Sequence, residues 1–328
     1  MEKNYCLNIL KGIACIFVVF MHSRFPGITG DALATAGGWA VPIFFMISGY
    51  YAWNKNKDVG IIKTKKKIKK NIEITIGTMI AYIIWDWCTA LFLNHNVNEL
   101  IKKYNVKNFL KIFITNDVDF QTGGQLWFMV ALIYAYLMTY FMFKIEKDEW
   151  IFPVVVLTLF IRVVLTSFSN YHLYLNFWFD GFPFFFLGYL IRQKNEKIHC
   201  NNSRVLLLGV FGAIIFSELQ NIWKLPINIF EIGTIIAGVL LFIFALENGK
   251  IVRQSLFEKI GVKYSLWIYL THVMAINIME VVGKRLSIHE NNYYLWIRPI
   301  IVLSISVVFS MIIYNVSIIL KRERRTTK

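Results

Sequence analysis

This chain is poor in acidic residues: 20 Asp and Glu stand against 35 Lys and Arg, and charged side chains make up only 17% of its 328 residues. Soluble domains carry about 25% charge. With six prolines and no Ser/Gly-rich stretch, the sequence offers no linker, and a single domain over 1–328 is expected. The four cysteines, Cys6, Cys15, Cys88 and Cys200, sit in or beside apolar runs without regular spacing. They suggest neither a disulfide framework nor a zinc site, and no metal is expected. Nucleophile elbow, P-loop, dinucleotide fingerprint and zinc-protease helix motif are all missing. No internal repeat of fixed period is visible, and no low-complexity segment exceeds one block of lysines.

What fills the chain is apolar. Hydrophobic residues reach 57% and aromatics 16%, with a mean hydropathy of +0.53, against roughly 45–50% apolar content in soluble domains. Ten runs, at 8–25, 37–53, 72–93, 124–143, 151–168, 173–191, 204–223, 229–247, 264–282 and 294–320, read as membrane helices. The expected fold is therefore an all-α polytopic membrane bundle of about ten helices. The first run lacks a small-residue cleavage site and is expected to stay in the protein.

The net charge of +15 follows the same topology. Lys3, the eight lysines from Lys55 to Lys70, Lys144, Lys147, Arg192, Lys194, Lys197, Arg204, Lys250, Arg253, Lys259, Lys263 and the tail from Lys321 all fall in alternate loops. That is about 24 of the 35 basic residues on one side, which predicts that both termini are cytoplasmic and argues against a nucleic-acid partner.

The stretch Leu7 to Phe25 is apolar yet carries Lys11 and His22. Eleven helical positions amount to about 1100°, some 20° past three turns, so both side chains share a face roughly 16 Å apart. Ala14, Cys15 and Val18 lie on the same stripe. Such a seam suits a cavity or a neighbouring helix; the plainer reading is a snorkelling lysine and a histidine bonded to another helix.

Other spans also carry polar groups. The second, GGWAVPIFFMISGYYAW, is broken by Gly37, Gly38, Pro42 and Gly49 and offers Ser48 and Tyr50, as site hydroxyls or as packing groups. After it comes KTKKKIKKN, whose Lys65, Lys66, Lys67, Lys69 and Lys70 suit anionic phospholipid or the phosphorylated nucleotide of coenzyme A. Asp86 lies in WDW, and Gln125 and Trp127 open the fourth span. Between them, 94–123 reads as a lid or, more simply, a solvated connector with room for a short surface helix. Arg162, surrounded by apolar residues in the fifth span, requires a carboxylate partner, for which Asp86, Asp180, Glu218 and Glu231 are available. His272 falls in the middle of the ninth span.

These segments, in this order, resemble the acyltransferase 3 family of integral membrane acyltransferases. Lys11-Gly12 ten to eleven positions before His22 resembles its first-helix signature, with Lys where Arg is usual. VPIFFMISGYY, KKKIKK, QLWFMVALI, FPFFFLGYLI and KYSLWIYLTHV resemble its later motifs; the proline that often follows the basic loop is missing. The resemblance implies acyl-coenzyme A as donor, with acetyl-coenzyme A the leading case. As acceptor it implies a surface polysaccharide, peptidoglycan or lipid-linked sugar, so that cell-wall O-acetylation is the expected process. His22 is then the catalytic base, Lys11 a donor contact, and His272 a second polar wall or relay. The phrase VPIFFMISGYY is also similar to the membrane half of vancomycin-resistance-type serine racemases. No soluble domain follows the basic tail of this sequence, so racemase chemistry is not expected. The alternative from another class is a permease or sensor for a small amino acid such as serine.

Overall fold

A computed structural model describes all residues except 1–2, 93–96, 119–121, 146–147, 169, 195–201, 224, 250–254 and 327–328. Lys147, Lys197, Lys250, Arg253 and Cys200 therefore lie outside the described residues. Among those described, all regular structure is helical and there is no strand. The helices are α1 (Tyr5–His22), α2 (Gly27–Ala36), α3 (Ala40–Tyr50), α4 (Lys57–Phe92), α5 (Val97–Lys103), α6 (Val106–Ile114) and α7 (Trp127–Ile145). There follow α8 (Ile151–Leu165), α9 (Phe182–Gln193), α10 (Ser203–Glu218), α11 (Glu231–Glu247), α12 (Leu256–Lys259), α13 (Ser265–Arg285) and α14 (Asn292–Thr326). Each of the ten apolar runs overlaps a helix. Seven helical stretches among the described residues are long and apolar enough to cross a membrane, and α8 is a shorter apolar helix.

One expectation needs correction. The lysine block is no loop: Lys57 to Phe92 is one helix of 36 residues. Lysine is a good helix former, and no glycine or proline interrupts the block after Gly60. At about 1.5 Å per residue this helix is roughly 54 Å long against a hydrocarbon core of about 30 Å, so its lysine end projects from the bilayer. The segment after Pro26, between the first two apolar runs, is helical too, as α2.

The chain forms two compact units. One comprises Met1–Ile43, Cys200–Trp223 and Gly233–Lys328; the other comprises Phe44–His199 and Lys224–Ile232. In the first, Asn4 caps α1 by accepting from the Leu7 amide, and its own Nδ2 donates to the Ala245 carbonyl at the end of α11. Lys3 pairs with Glu258 at 2.7 Å. Above this anchor, α1 crosses α12 and the π-helical turn Ile260–Tyr264 at backbone contact. A Cβ at Gly12 would stand 2.2 Å from the Phe257 carbonyl oxygen, and one at Gly261 1.8 Å from that of Asn8. Only glycine permits this approach. Along α13 itself the contacts advance in the same direction on both helices, from Cys15 at Ser265 to His22 at His272, so α1 and α13 run parallel.

In the second unit, α4 and α7 run antiparallel, with Gly60 against Phe143 and Gly123 against Tyr82. A second glycine crossing joins α3 to α9. There Cβ atoms at Gly49 and Gly188 would fall 1.8 Å from the Phe185 and 2.0 Å from the Met46 carbonyl oxygens. A π-helical turn, Phe177–Gly181, leads into α9 and is capped by Asn176, which accepts from the Trp178 and Phe179 amides.

Candidate active site

Helix α1 ends in His22, and α13 brings His272 against it, two turns beyond Ser265. The rings lie 5.0 Å apart between centroids, tilted by 47°. His272 is fully buried, whereas His22 is exposed. The Nδ1 of His272 stands 2.7 Å from the Tyr269 carbonyl oxygen. A carbonyl only accepts, so Nδ1 bears the proton and Nε2 presents a lone pair. That Nε2, and the hydroxyl oxygen of Ser23 beside His22, are buried without a hydrogen-bond partner among the described residues. Native interiors rarely leave such atoms unused.

Below His22 the stripe of α1 turns inward. Ala14, Cys15 and Val18 are all buried, and the Cys15 thiol donates to the Ser265 carbonyl at 3.5 Å. Lys11 is half-buried one turn before Cys15. The Lys11–His22 face of α1 is thus lined along its middle by protein.

A separate cluster surrounds Arg162 in the second unit. Its Nη1 donates to Asp180 Oδ1 at 2.8 Å and its Nε to Glu231 Oε1 at 3.0 Å. The Tyr174 and Phe184 rings flank the guanidinium. Of the four available acids, Asp180 and Glu231 are the partners. Asp86 accepts instead from the Tyr104 hydroxyl at 2.8 Å and the Thr122 amide at 3.1 Å, while Glu218 accepts from Asn221 at 2.9 Å. Burial first, then the Asp86 carboxylate, pushes the Tyr104 hydroxyl well above its usual pKa, which keeps it a donor. Gln125 donates to the Tyr82 hydroxyl at 2.6 Å, and the Trp127 ring packs on Phe45.

At the lysine end of the same unit, cations and tyrosines interleave. The Lys67 ammonium donates to the Tyr51 carbonyl at 3.0 Å and sits over the Tyr136 ring. Lys65 lies over Tyr140, and Lys69 reaches Glu73 at 4.0 Å. Lys66 and Lys70 are exposed. Arg192 donates to the Tyr50 hydroxyl at 2.8 Å, whereas the Ser48 hydroxyl donates to the Phe44 carbonyl of its own helix. Sequence reasoning assigns no site role to Tyr269, Ser23, Tyr104 or Arg192. Of these, only Tyr269 carries a local signal, its place one helical turn before a buried histidine.

These features define a multi-pass helical membrane protein with an imidazole pair in one unit and a buried ion-pair cluster in the other. The chain belongs to the acyltransferase 3 family, whose acyltransferase domain matches residues 4–315, and it is an acyltransferase. No curated protein and no solved structure matches the chain significantly.

Proposed function

We propose that this protein is a plasma-membrane O-acyltransferase, in its narrower form an O-acetyltransferase. It moves an acyl group from cytoplasmic acyl-coenzyme A to a hydroxyl of a cell-surface glycan, peptidoglycan or lipid-linked sugar. The observation that carries this reading is the contact between exposed His22 and buried His272, whose Nδ1 is held by Tyr269. Acyl transfer to a hydroxyl requires a base to take its proton. In this reading His22 takes that proton as the oxygen attacks the thioester carbonyl, and returns it to the departing thiolate. His272 orients the His22 ring from beneath.

Lys11 holds a donor phosphate or carbonyl as a point charge. Lys65, Lys66, Lys67, Lys69 and Lys70 attract the nucleotide phosphates, with Tyr50 and Ser48 nearby in sequence on α3. On the acceptor side, Arg162 with Asp180, and the polar groups Asp86, Gln125, Trp127 and Glu218, supply structure and hydrogen bonds. The test is mass spectrometry of cell-wall polymers from cells with wild-type protein and with His22→Ala. Surface acylation is expected to vanish in the variant at normal membrane abundance. Retained acylation removes His22 from the chemistry. Accumulation of substrate in vesicles without thioester turnover would instead establish transport.

A further inference from the structure

The segment between α4 and α7 contains a helix with three distinct faces. Counting about 100° per residue from Val106, the side chains of Val106, Phe109, Leu110, Phe113 and Ile114 occupy one arc of about 140°. All five are exposed, Val106 at 75%, Phe113 at 69% and Ile114 at 74%. About a third of a turn away, Ile112 is buried against the protein at 7% exposure. The remaining third carries Lys107 and Lys111, and Lys111 lies 3.8 Å from Asp117. In water, five adjoining large apolar side chains on a connector would form a sticky patch.

The position of α6 says what covers that patch. The Tyr134 hydroxyl donates to the Ile112 and Phe113 carbonyls, both at 3.2 Å, and Tyr134 lies seven residues, about 10 Å, along α7. Asn116 donates to the Trp127 carbonyl at 2.9 Å. Tyr104, just before α6, bonds Asp86 six residues, about 9 Å, short of the end of α4. Tyr104, α6 and Asn116 therefore lie alongside the spans instead of standing above them. Lys102, Lys103 and Lys107, exposed beside the apolar arc, complement lipid phosphates.

We propose that α6 is a membrane-interface helix. It seats the Val106, Phe109, Leu110, Phe113 and Ile114 face in the acyl-chain boundary of the phospholipid leaflet next to the Phe92 and Gly124 ends of the spans. Lys102, Lys103 and Lys107 reach the phosphate level of an anionic leaflet. An amphipathic helix in this setting lies in the bilayer plane, its apolar side sunk about 5–10 Å below the headgroups. This replaces the reading of 94–123 as a solvated connector.

The test uses full-length protein in nanodiscs containing phosphatidylglycerol, with native cysteines replaced and a nitroxide attached at Lys107→Cys, Leu110→Cys or Phe113→Cys. Positions 110 and 113 should relax strongly with oxygen and weakly with a water-soluble nickel chelate, and position 107 the reverse. The oxygen-to-nickel ratio should be several-fold higher at 113 than at 107. A nickel-accessible 113 would restore the solvated connector, and low accessibility to both reagents would mean that protein covers the face; either overturns the proposal. Should cysteine replacement disturb folding, unmodified protein can be irradiated in nanodiscs whose phospholipid carries a photoreactive acyl chain. Adducts within 106–114 are expected, and their absence there beside adducts on α4 refutes the assignment.

Discussion

An imidazole whose Nδ1 is committed to a backbone carbonyl can offer only its other nitrogen, and His272 is held in this way by Tyr269. If His272 positions His22, replacing it by phenylalanine fills the volume but removes that nitrogen. His272→Phe should lower kcat for acyl transfer roughly 100-fold, within the range of acid–base effects. The KM for acyl-coenzyme A should stay unchanged, and a purely structural role would instead lower abundance without this split. Arg162 invites a different measurement. One guanidinium bonds two buried carboxylates, so Arg162→Met removes the partner of both, and breaking a buried pair costs about 3–5 kcal/mol. Asp180→Asn leaves the Glu231 bond and should cost less, with Arg162→Lys between them because it loses the planar fork. Thermal unfolding in detergent should rank the three in that order. An Arg162→Met protein as stable as wild type would show that the cluster is not what holds α8 in place.

At the scale of elements, the two glycine crossings set how closely the helices approach. Any side chain at Gly12 or Gly261 meets backbone, which cannot rotate away as a side-chain tip can. Gly12→Ala and Gly261→Ala should therefore separate α1 from α12 and the adjoining π-helical turn, destabilising the protein by about 1–3 kcal/mol. Gly77 in α4 has nothing within 4 Å of an added Cβ; Gly77→Ala should be neutral or stabilising by up to about 1 kcal/mol through helix propensity. Monodisperse yield after detergent extraction separates the two classes, and equal yields would refute the close-approach argument. Such contacts explain what a sequence conceals. Hydropathy locates every long apolar helix, and the eleven-residue spacing puts Lys11 and His22 on one face, because both are local properties. The pairing of Gly12 with Phe257, or the choice of Glu231 over Glu218 as a partner of Arg162, depends on contacts made across long sequence separations. The helical state of the lysine block is concealed for the opposite reason: its polarity resembles a loop while its propensity is helical.

For the whole molecule, the distribution of basic residues carries a claim about direction that the proposed chemistry requires. If donor enters from the cytoplasm, the Lys11 end of α1 and the lysine end of α4 must both face that side. The positive-inside rule assigns them there together with Lys194 and Lys263. Each lysine near an anionic leaflet contributes about 1 kcal/mol, so the eight from Lys55 to Lys70 form the strongest orienting signal in the chain. Phosphatase reporters that are active only outside the cytoplasm should be silent when fused after Lys70 or Lys194 and active when fused after Asp117. A fluorescent protein fused to the C-terminus should fold and fluoresce. The reverse pattern would place the lysine clusters and the Lys11 end of α1 outside, away from any cytoplasmic thioester. The donor assignment would then fall even if His22 proved essential, since an imidazole base serves any acyl donor that can reach it.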